Sequence, residues 1–366
     1  MRSGSPRAGL PVSGKAVWNR HGGFRFHTAS GRSREPPAVL GSLRPFWGAS
    51  GRSHERRGVV GQTATVTVKK LTGTDAFVIT DLPDAETADG VVRCARKVLQ
   101  DGARTMARSR TYSWALLEQQ ISGASAGVNA TDDRDAALRT FVDELSGEIG
   151  SGRLALDPGK GVTTEDLAAW AELDRRSPEH AGRRDDLLAA GIVAAADVAV
   201  GGVAGASVVI EGAGASGSAI AAAFGAADAE VVSTGDGPDV LRDAADVLVC
   251  GSRLGLVDHQ VAATLPQRAV VPCGVAPVTA KGLAVATGRG IVVVPDFLSL
   301  IGPLLGFRPD AGSSTESLLV DAAERVRTVL TDVIGHDEGA YLGACYRAEA
   351  FLRTWQDTLP FGRPLA

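Results

Sequence analysis

The sequence is short of the residues that build metal sites, disulfides and membrane spans. Its four cysteines, Cys94, Cys250, Cys273 and Cys345, are far apart and form no CxxC pair, so neither a zinc knuckle nor a disulfide framework is indicated. The six histidines show no metal-ligand spacing. No apolar run reaches the roughly 18 residues of a membrane-spanning helix. We therefore expect no metal centre, no membrane span and a reducing, cytoplasmic location.

Acidic residues are scarce at the start of the chain. Residues 1–60 hold eleven Lys and Arg against Glu35 and Glu55, a net charge of +9, so the remainder of a chain with net charge −4 carries −13. A body that acidic argues against a nucleic-acid partner. The Arg, Gly, Ser and Pro content of residues 1–60, without helical or strand periodicity, predicts a disordered basic extension. A basic tail that contacts nucleic acid or a partner is the alternative.

Residues 61–185 alternate strand and helix patterns. The segments "TATVTVKK", "DAFVITDLP", "AGVNA" and "RLAL" predict strands. The near-helical spacing of Val91, Val92, Ala95, Val98, Leu99 and Met106 predicts a helix that begins near Val91. Further helices are predicted for "DRDAALRTFVDELSGEIG" and for "TTEDLAAWAELDR". This region is therefore expected to be an α/β domain.

The strands predicted after residue 186 are short runs that are apolar throughout: "SVVI", "AEVVST", "DVLVC", "RAVVP" and "GIVVVP". Such runs belong to parallel sheets with helices on both faces, and their alternation with helices predicts a doubly wound Rossmann domain. We place this domain at 186–312, after the helix "DDLLAAGIVAAADVAV". Residues 313–366 are predicted to form C-terminal helices that pack back on the first domain.

The second domain begins with a dinucleotide-binding pattern. Gly212, Gly214 and Gly217 spell G-x-G-x-x-G between a predicted strand and a predicted helix. The pattern suits a pyrophosphate held by backbone N–H groups of Gly212, Ala213, Gly214, Ala215, Ser216 and Gly217. Asp236 ends the next strand, where a carboxylate accepts hydrogen bonds from a ribose and repels a 2′-phosphate, so NAD is favoured over NADP. A Gly-rich turn that binds nothing is the alternative.

Five stretches of the chain resemble motifs of one enzyme family. They are "RTYSWALLEQQISGASAGV", "GRLALDPGKGVTTEDLAAW", "VVIEGAGASGSAI", "ADVLVCGSRLGLV" and "GIVVVPDFLSLIGPLLG". In content and order these stretches resemble the glutamate/leucine/phenylalanine/valine dehydrogenases, over about residues 75–360. The resemblance implies an N-terminal substrate and oligomerisation domain, a Rossmann domain, a homo-oligomer and a nicotinamide cofactor. It also adds Cys250 and Gly251 to the cofactor-binding residues.

The resemblance places the family's catalytic groups on residues that cannot perform their roles. The two lysines fall on Ser113 and Ser125, the aspartate on Gly159, a threonine on Leu188, and two asparagines on Val275 and Leu300. Serine cannot act as a cationic anchor and glycine cannot transfer a proton. The chain has only six lysines, of which Lys160 alone lies in one of these motifs.

Few other residues are candidates for chemistry. Lys160 would act as a base or pair with a carboxylate if its pKa were lowered, and a solvated loop lysine is the alternative. Ser113 and Ser125 would hydrogen-bond a neutral substrate. Asp157 would replace the missing carboxylate from two residues upstream, and Cys273 follows a strand at the edge where such folds bind ligands.

Three functions fit these observations. The first is an NAD-binding oxidoreductase with altered chemistry that reduces an imine or keto substrate in a secondary pathway, since the cofactor carries the hydride step. The second is a catalytically inactive relative that senses cofactor or binds a partner. The third is an ordinary amino-acid dehydrogenase. In the first and third cases the substrate is a small molecule: an amino acid, an imine or a keto acid.

Overall fold

Two five-stranded sheets carry the fold. The computed structural model describes residues 66–309, 311–359 and 361–366, so the basic extension predicted at 1–60 lies outside the described residues. Both sheets belong to one compact unit, Val60–Ala366. The domain boundaries at 185/186 and 312/313 stay predictions.

The first sheet mixes antiparallel and parallel pairs. Its strands are β1 (Thr67–Lys70), β2 (Ala76–Thr80), β3 (Ala88–Ala95), β4 (Ser122–Asn129) and β5 (Leu154–Pro158). The order is β1-β2-β4-β3-β5, with β1/β2 and β2/β4 antiparallel and β4/β3 and β3/β5 parallel. Helix α1 (Gln100–Leu116) connects β3 to its parallel neighbour β4, and helix α2 (Arg134–Ser151) connects β4 to β5 on the far side of β3.

The helix predicted to begin near Val91 is wrong over its first turns, because Ala88–Ala95 is strand β3 and α1 begins only at Gln100. In β3, Val92 faces a core cluster that includes Phe141 of α2. Val91 faces the other way, towards α1. Apolar residues on both faces of a buried strand resemble a helical pattern in sequence.

The second sheet is parallel throughout. Its strands are β6 (Ser207–Glu211), β7 (Glu230–Gly235), β8 (Val247–Cys250), β9 (Ala269–Pro272) and β10 (Val292–Val293), in the order β10-β9-β8-β6-β7. Helices α3 (Arg184–Val200), α4 (Gly217–Ala226), α5 (His259–Thr264) and α6 (Ala280–Gly288) alternate with these strands. The predicted doubly wound sheet is confirmed, and β8 and β9 are buried along their whole length.

Four helices end the chain: α7 (Asp296–Ser299), α8 (Gly302–Phe307), α9 (Thr315–Val333) and α10 (Ala340–Leu352). Helix α9 packs on α3, and α10 packs on α1. Where α1 contacts α7, the ring of Tyr112 packs edge-on against that of Phe297, with 5.3 Å between the ring centroids. Within the described residues, no helix is both long enough and apolar enough to cross a membrane.

A C-terminal tail follows α10 and is hydrogen-bonded at several places, among them Pro364, whose carbonyl accepts from Tyr341, and Arg363, which binds Glu349. Arg108 of α1, which forms a buried ion pair with Asp81 at 2.8 Å, donates to the backbone carbonyl of Gly362. Four residues later, the N–H of Ala366 donates to the carbonyl of Val278, beside the second sheet. The tail therefore joins α1 to the loop before α6.

Candidate functional site

The Gly-rich loop follows β6, the strand from which successive strands of the second sheet are added first on one side and then on the other. Strand β6 is flanked by β7 on one side and by β8 on the other, and such switch points bind ligands in open α/β sheets. Gly212 has a φ of +65° and donates its N–H to Gly235. A Cβ at Gly212 would stand 2.4 Å from Ser252, so only glycine fits this turn.

The next residues of the loop face solvent. Gly214 and Ala215 are exposed, and the backbone hydrogen bonds of the described chain leave their N–H groups without an acceptor. Helix α4 begins at Gly217, directly beyond them. Free N–H groups at the start of a helix favour an anion.

The side chain of Ser216 faces away from solvent. Ser216 is buried, and its hydroxyl donates to the carboxylate of Asp185 at 2.7 Å. Ala213 is half-buried. Ser216 therefore fastens the loop to the first turn of α3, while the exposed loop atoms remain backbone.

A buried carboxylate joins three strand ends. Glu211 is fully buried, and its side chain accepts N–H groups from Gly237, Gly251 and Ser252 at 3.1–3.3 Å. These hydrogen bonds bring the loops after β7 and β8 to the Gly-rich loop. Sequence reasoning missed Glu211, although its place directly before the first glycine at the end of an apolar strand was visible.

Two further predicted residues lie at these strand ends. Asp236 directly follows β7 and is exposed. Cys250 is fully buried at the end of β8, where its carbonyl accepts the N–H of Cys273 at 2.8 Å. Of the predicted cofactor-binding residues, Cys250 therefore contributes only backbone to this edge of the sheet.

A cleft of about 150 Å³ lies between the two sheets, and we call it the central cleft. Its lining comes from β3–β5, α1, α3, the loop after β9 and the α7–α8 region: Gly90, Val91, Met106, Ser109, Arg110, Ser113, Ala124, Asp157, Arg184, Leu188, Cys273, Gly274, Val275, Leu300 and Pro303. Among the described residues, no group of three or more His, Cys, Asp and Glu side chains is placed to hold a metal ion.

A buried ionic network reaches the central cleft through two of its members, Arg110 and Asp157. Arg110 binds Asp89 at 2.7 Å and Asp157 at 2.9 Å. Arg176 binds Asp157 at 2.7 Å, Asp89 at 3.2 Å and Asp174 at 2.7 Å. Two arginines therefore hold three aspartates, and we call these five residues the Arg–Asp network.

The pKa values of the network reflect burial and ion pairing. Burial raises the pKa of Asp89 above its ordinary value, against the charges of Arg110 and Arg176. For Asp174, burial acts in the same direction, but hydrogen bonds and charge from Arg176 outweigh it and hold the pKa below its ordinary value. Arg176 is charged, because the three carboxylates outweigh its burial and raise its pKa.

Solved structures share this architecture, although no protein-family model and no curated protein sequence matches the chain. A hetero-hexameric glutamate dehydrogenase from Thermus thermophilus, in a leucine-bound form, matches with a TM-score of 0.66 at 20% identity, over 80% of this chain and 90% of that chain. An L-tryptophan dehydrogenase from Nostoc punctiforme matches with a TM-score of 0.60 at 13% identity, over 79% and 95%. A glutamate dehydrogenase from Peptoniphilus asaccharolyticus matches with a TM-score of 0.60 at 14% identity, over 80% and 91%.

The chain has the amino-acid dehydrogenase fold. The resemblance of its motifs to that family is thereby confirmed at the level of fold.

Four of the six positions on which the resemblance places the family's catalytic groups line the central cleft: Ser113, Leu188, Val275 and Leu300. The hydroxyl of Ser113 donates to the carbonyl of Ser109 at 3.2 Å. Three of the four positions are aliphatic. The cleft lining therefore combines aliphatic side chains with Arg110 and Asp157 of the Arg–Asp network.

The remaining two positions of the amino-acid dehydrogenase fold lie outside this lining. Ser125 is fully buried in β4, and no hydrogen-bond partner for its Oγ exists within the described chain. At Gly159, a Cβ would lie 2.8 Å from the carbonyl oxygen of Val92, so the backbone leaves no space for an aspartate there.

Lys160 is exposed, two residues after the end of β5, and is not one of the described residues that line the cleft. Its backbone carbonyl accepts the N–H of Cys94 at 3.0 Å. Cys273 does line the cleft. Burial, followed by the charge of Glu211, raises the pKa of Cys273 to about 12, so it is a neutral thiol.

Sequence reasoning missed two cleft cations, Arg110 and Arg184. Arg110 directly precedes the "TYS" segment and stands one turn from Met106 on α1. Arg184 stands one turn before Leu188 on α3. Neither arginine lies on a helix predicted from sequence, because the predicted helices were given as far as Met106 and from Asp185 onward.

Proposed function

We propose that this chain is an NAD-binding oxidoreductase with altered chemistry, acting on a small imine or keto compound. The observation that carries the proposal is the Gly-rich loop at the switch point of the second sheet. Its exposed Gly214 and Ala215 have free N–H groups. Asp236 follows the neighbouring strand, where a carboxylate suits a ribose.

These residues fit a nicotinamide dinucleotide and favour NAD over NADP. The N–H groups of Gly214 and Ala215 would bind the pyrophosphate, and Asp236 would accept from the adenosine ribose. A 2′-phosphate would meet the Asp236 carboxylate and be repelled. When bound, the cofactor supplies or accepts a hydride.

The central cleft supports hydride transfer better than hydrolytic deamination. None of its described lining residues is a lysine, and the carboxylate of Asp157 is held by two arginines. Such a site lacks a free base to activate water against an imine. A preformed imine or a ketone needs no such base. Arg184 at the cleft would attract a substrate carboxylate.

The size of the cleft also limits the substrate. A volume of about 150 Å³ is small beside the roughly 300–1,000 Å³ of pockets that hold drug-sized ligands. By the resemblance we further propose a homo-oligomer. The free thiols of Cys94, Cys250, Cys273 and Cys345 support a reducing, cytoplasmic location.

A second candidate function is cofactor binding without turnover. The aliphatic side chains of Leu188, Val275 and Leu300 favour it, because they occupy cleft positions where polar groups would orient a nicotinamide ring. Such a protein would report cofactor levels to a partner. The Gly-rich loop and Asp236 would bind the cofactor in the same way in both candidate functions.

Calorimetric titration of NADH into the full chain tests the shared premise. We expect binding that Asp236→Ala weakens about tenfold or more, and weaker binding of NADPH. Asp239→Ala is the matched control, because Asp239 is also exposed and lies three residues further on. Absence of NADH binding, or equal effects of the two substitutions, would refute the cofactor site.

Turnover separates the two candidates. NADH oxidation is followed at 340 nm with a panel of cyclic imines and 2-oxo acids. Oxidation that Arg184→Gln slows for the acids supports the oxidoreductase. NADH binding without oxidation of any compound supports the non-catalytic protein.

A further inference from the structure

A second cavity lies at the opposite ends of the first-sheet strands. This groove, of about 780 Å³, is entered beside Glu86, just before β3, and beside Arg153, just before β5. It shares no lining residue with the central cleft. Its charged lining residues are Glu86, Arg153, Asp174, Arg175, Arg176 and Arg308, and we call it the arginine groove.

The charges of the arginine groove do not balance. Arg176 and Asp174 satisfy each other, with the Arg176 Nε atom 3.1 Å from one carboxylate oxygen and Nη2 2.7 Å from the other. This leaves Arg153, Arg175 and Arg308 against Glu86 alone, an excess of two positive charges. The excess is notable because residues 61–366 carry a net charge of −13.

The surplus arginines form no ion pair within the described chain, although the charge of Arg308 is among the causes that lower the pKa of Asp174. Arg153 and Arg308 are exposed, and no carboxylate of the described chain forms an ion pair with either. Arg308 lies 6.0 Å from the centre of the Trp114 ring. Arg175 donates through Nε to the carbonyl of Gly150 at 3.1 Å, which leaves its charge uncompensated.

Three separate chain segments bring these cations together. Arg153 follows α2, and its carbonyl accepts the N–H of Ala88 at the start of β3. Arg175 precedes α3, and Arg308 directly follows α8. Like charges held together by a folded scaffold repel one another until an anion binds.

We propose that the arginine groove binds a phosphorylated small molecule with at least two negative charges. A guanidinium donates a planar pair of N–H groups that match phosphate oxygens, and three such groups suit a diphosphate or a bisphosphate. The volume suits a metabolite-sized ligand. The Phe307 ring is covered by Arg176 at 4.4 Å, so charge, rather than stacking on a base, provides the recognition.

Titration of inorganic pyrophosphate into the full chain, at low salt, tests this site. The groove variant is Arg153→Gln with Arg308→Gln. The control variant is Arg139→Gln with Arg347→Gln, which removes the same charge from exposed positions outside the groove. Thermal melts verify that both variants fold.

We expect the wild-type chain and the control variant to bind pyrophosphate alike, and the groove variant to bind at least tenfold more weakly. Orthophosphate should bind more weakly than pyrophosphate. Absence of binding to the wild type would overturn the proposal. Unchanged binding by the groove variant would overturn it too, because the anion would then lie elsewhere, for example at the Gly-rich loop. Neither outcome depends on whether NADH binds.

Discussion

Replacing Arg176 with methionine is the sharpest test of how the first sheet is held. The side chain is 11% exposed and contacts Asp89, Asp157 and Asp174. Methionine keeps an unbranched apolar stem but no charge, so Arg110 remains as the partner of Asp89 and Asp157, and Asp174 loses its ion pair. Removing one partner of a buried pair costs about 3–5 kcal/mol, a large share of the roughly 5–15 kcal/mol that stabilises a typical domain.

The loss of unfolding free energy caused by Arg176→Met should depend on pH. The Arg–Asp network determines whether that loss grows or shrinks as the pH falls. Arg176 lowers the pKa of Asp174 in the folded protein, so this stabilisation is present above the unfolded-state pKa and is lost as pH falls. Without Arg176, the raised pKa of Asp89 rises further, and protonation then favours the folded state. The difference in unfolding free energy from wild type should therefore be largest near about pH 7 and smaller near about pH 4.

Urea unfolding followed by circular dichroism measures this difference. Arg347→Met is the matched control, because Arg347 pairs with Asp332 and both side chains are about half exposed (40% and 55%). Exposed ion pairs of this kind contribute little to the free energy of unfolding. A loss for Arg176→Met no larger than that of the control, or a loss that grows as the pH falls, would refute the reasoning.

Three further predictions concern separate regions. Gly212→Ala, which forces a Cβ within 2.4 Å of Ser252 at a φ of +65°, should lower both the melting temperature and the NADH affinity, as scanning fluorimetry with and without NADH would detect. Cys273 is half-buried, and its pKa is raised to about 12, mainly by desolvation. It should therefore react with iodoacetamide at pH 8 at least about 100-fold more slowly in the native than in the urea-unfolded protein, as mass spectrometry would measure; equal rates would contradict the raised pKa. Phe141→Ala, which removes a fully buried ring packed on Trp170 at 5.8 Å, should cost about 3–5 kcal/mol in urea unfolding while NADH affinity is unchanged.

The second sheet was predictable from sequence, and β3 was not. Strands β6, β8 and β9 are buried on both faces, so each reads as an uninterrupted apolar run. The same burial made the helix prediction at β3 wrong. The adjacent Val91 and Val92 lie on opposite faces of that strand, and each face packs against other parts of the protein. Periodicity cannot separate a strand buried on two faces from a helix of the same length.

The part of the candidate site that one sequence motif forms could be predicted from sequence. The part that distant segments form together could not. The G-x-G-x-x-G loop lies on consecutive residues, so Gly212 and Gly214 were identified directly. The Arg–Asp network joins residues up to 87 positions apart, as between Arg176 and Asp89. Pairing over such a separation leaves no local pattern, and only the fold brings the partners together.

The C-terminal tail has a mechanical consequence for the cleft. It is held to α1 at Gly362 and to Val278 at Ala366, and four peptide units span at most about 14 Å when fully extended. A hinge motion that parts the two sheets must either stay within that reach or break some of the hydrogen bonds that hold the tail. The hydrogen-bonded tail therefore sets an upper limit on how far the cleft opens without local unfolding.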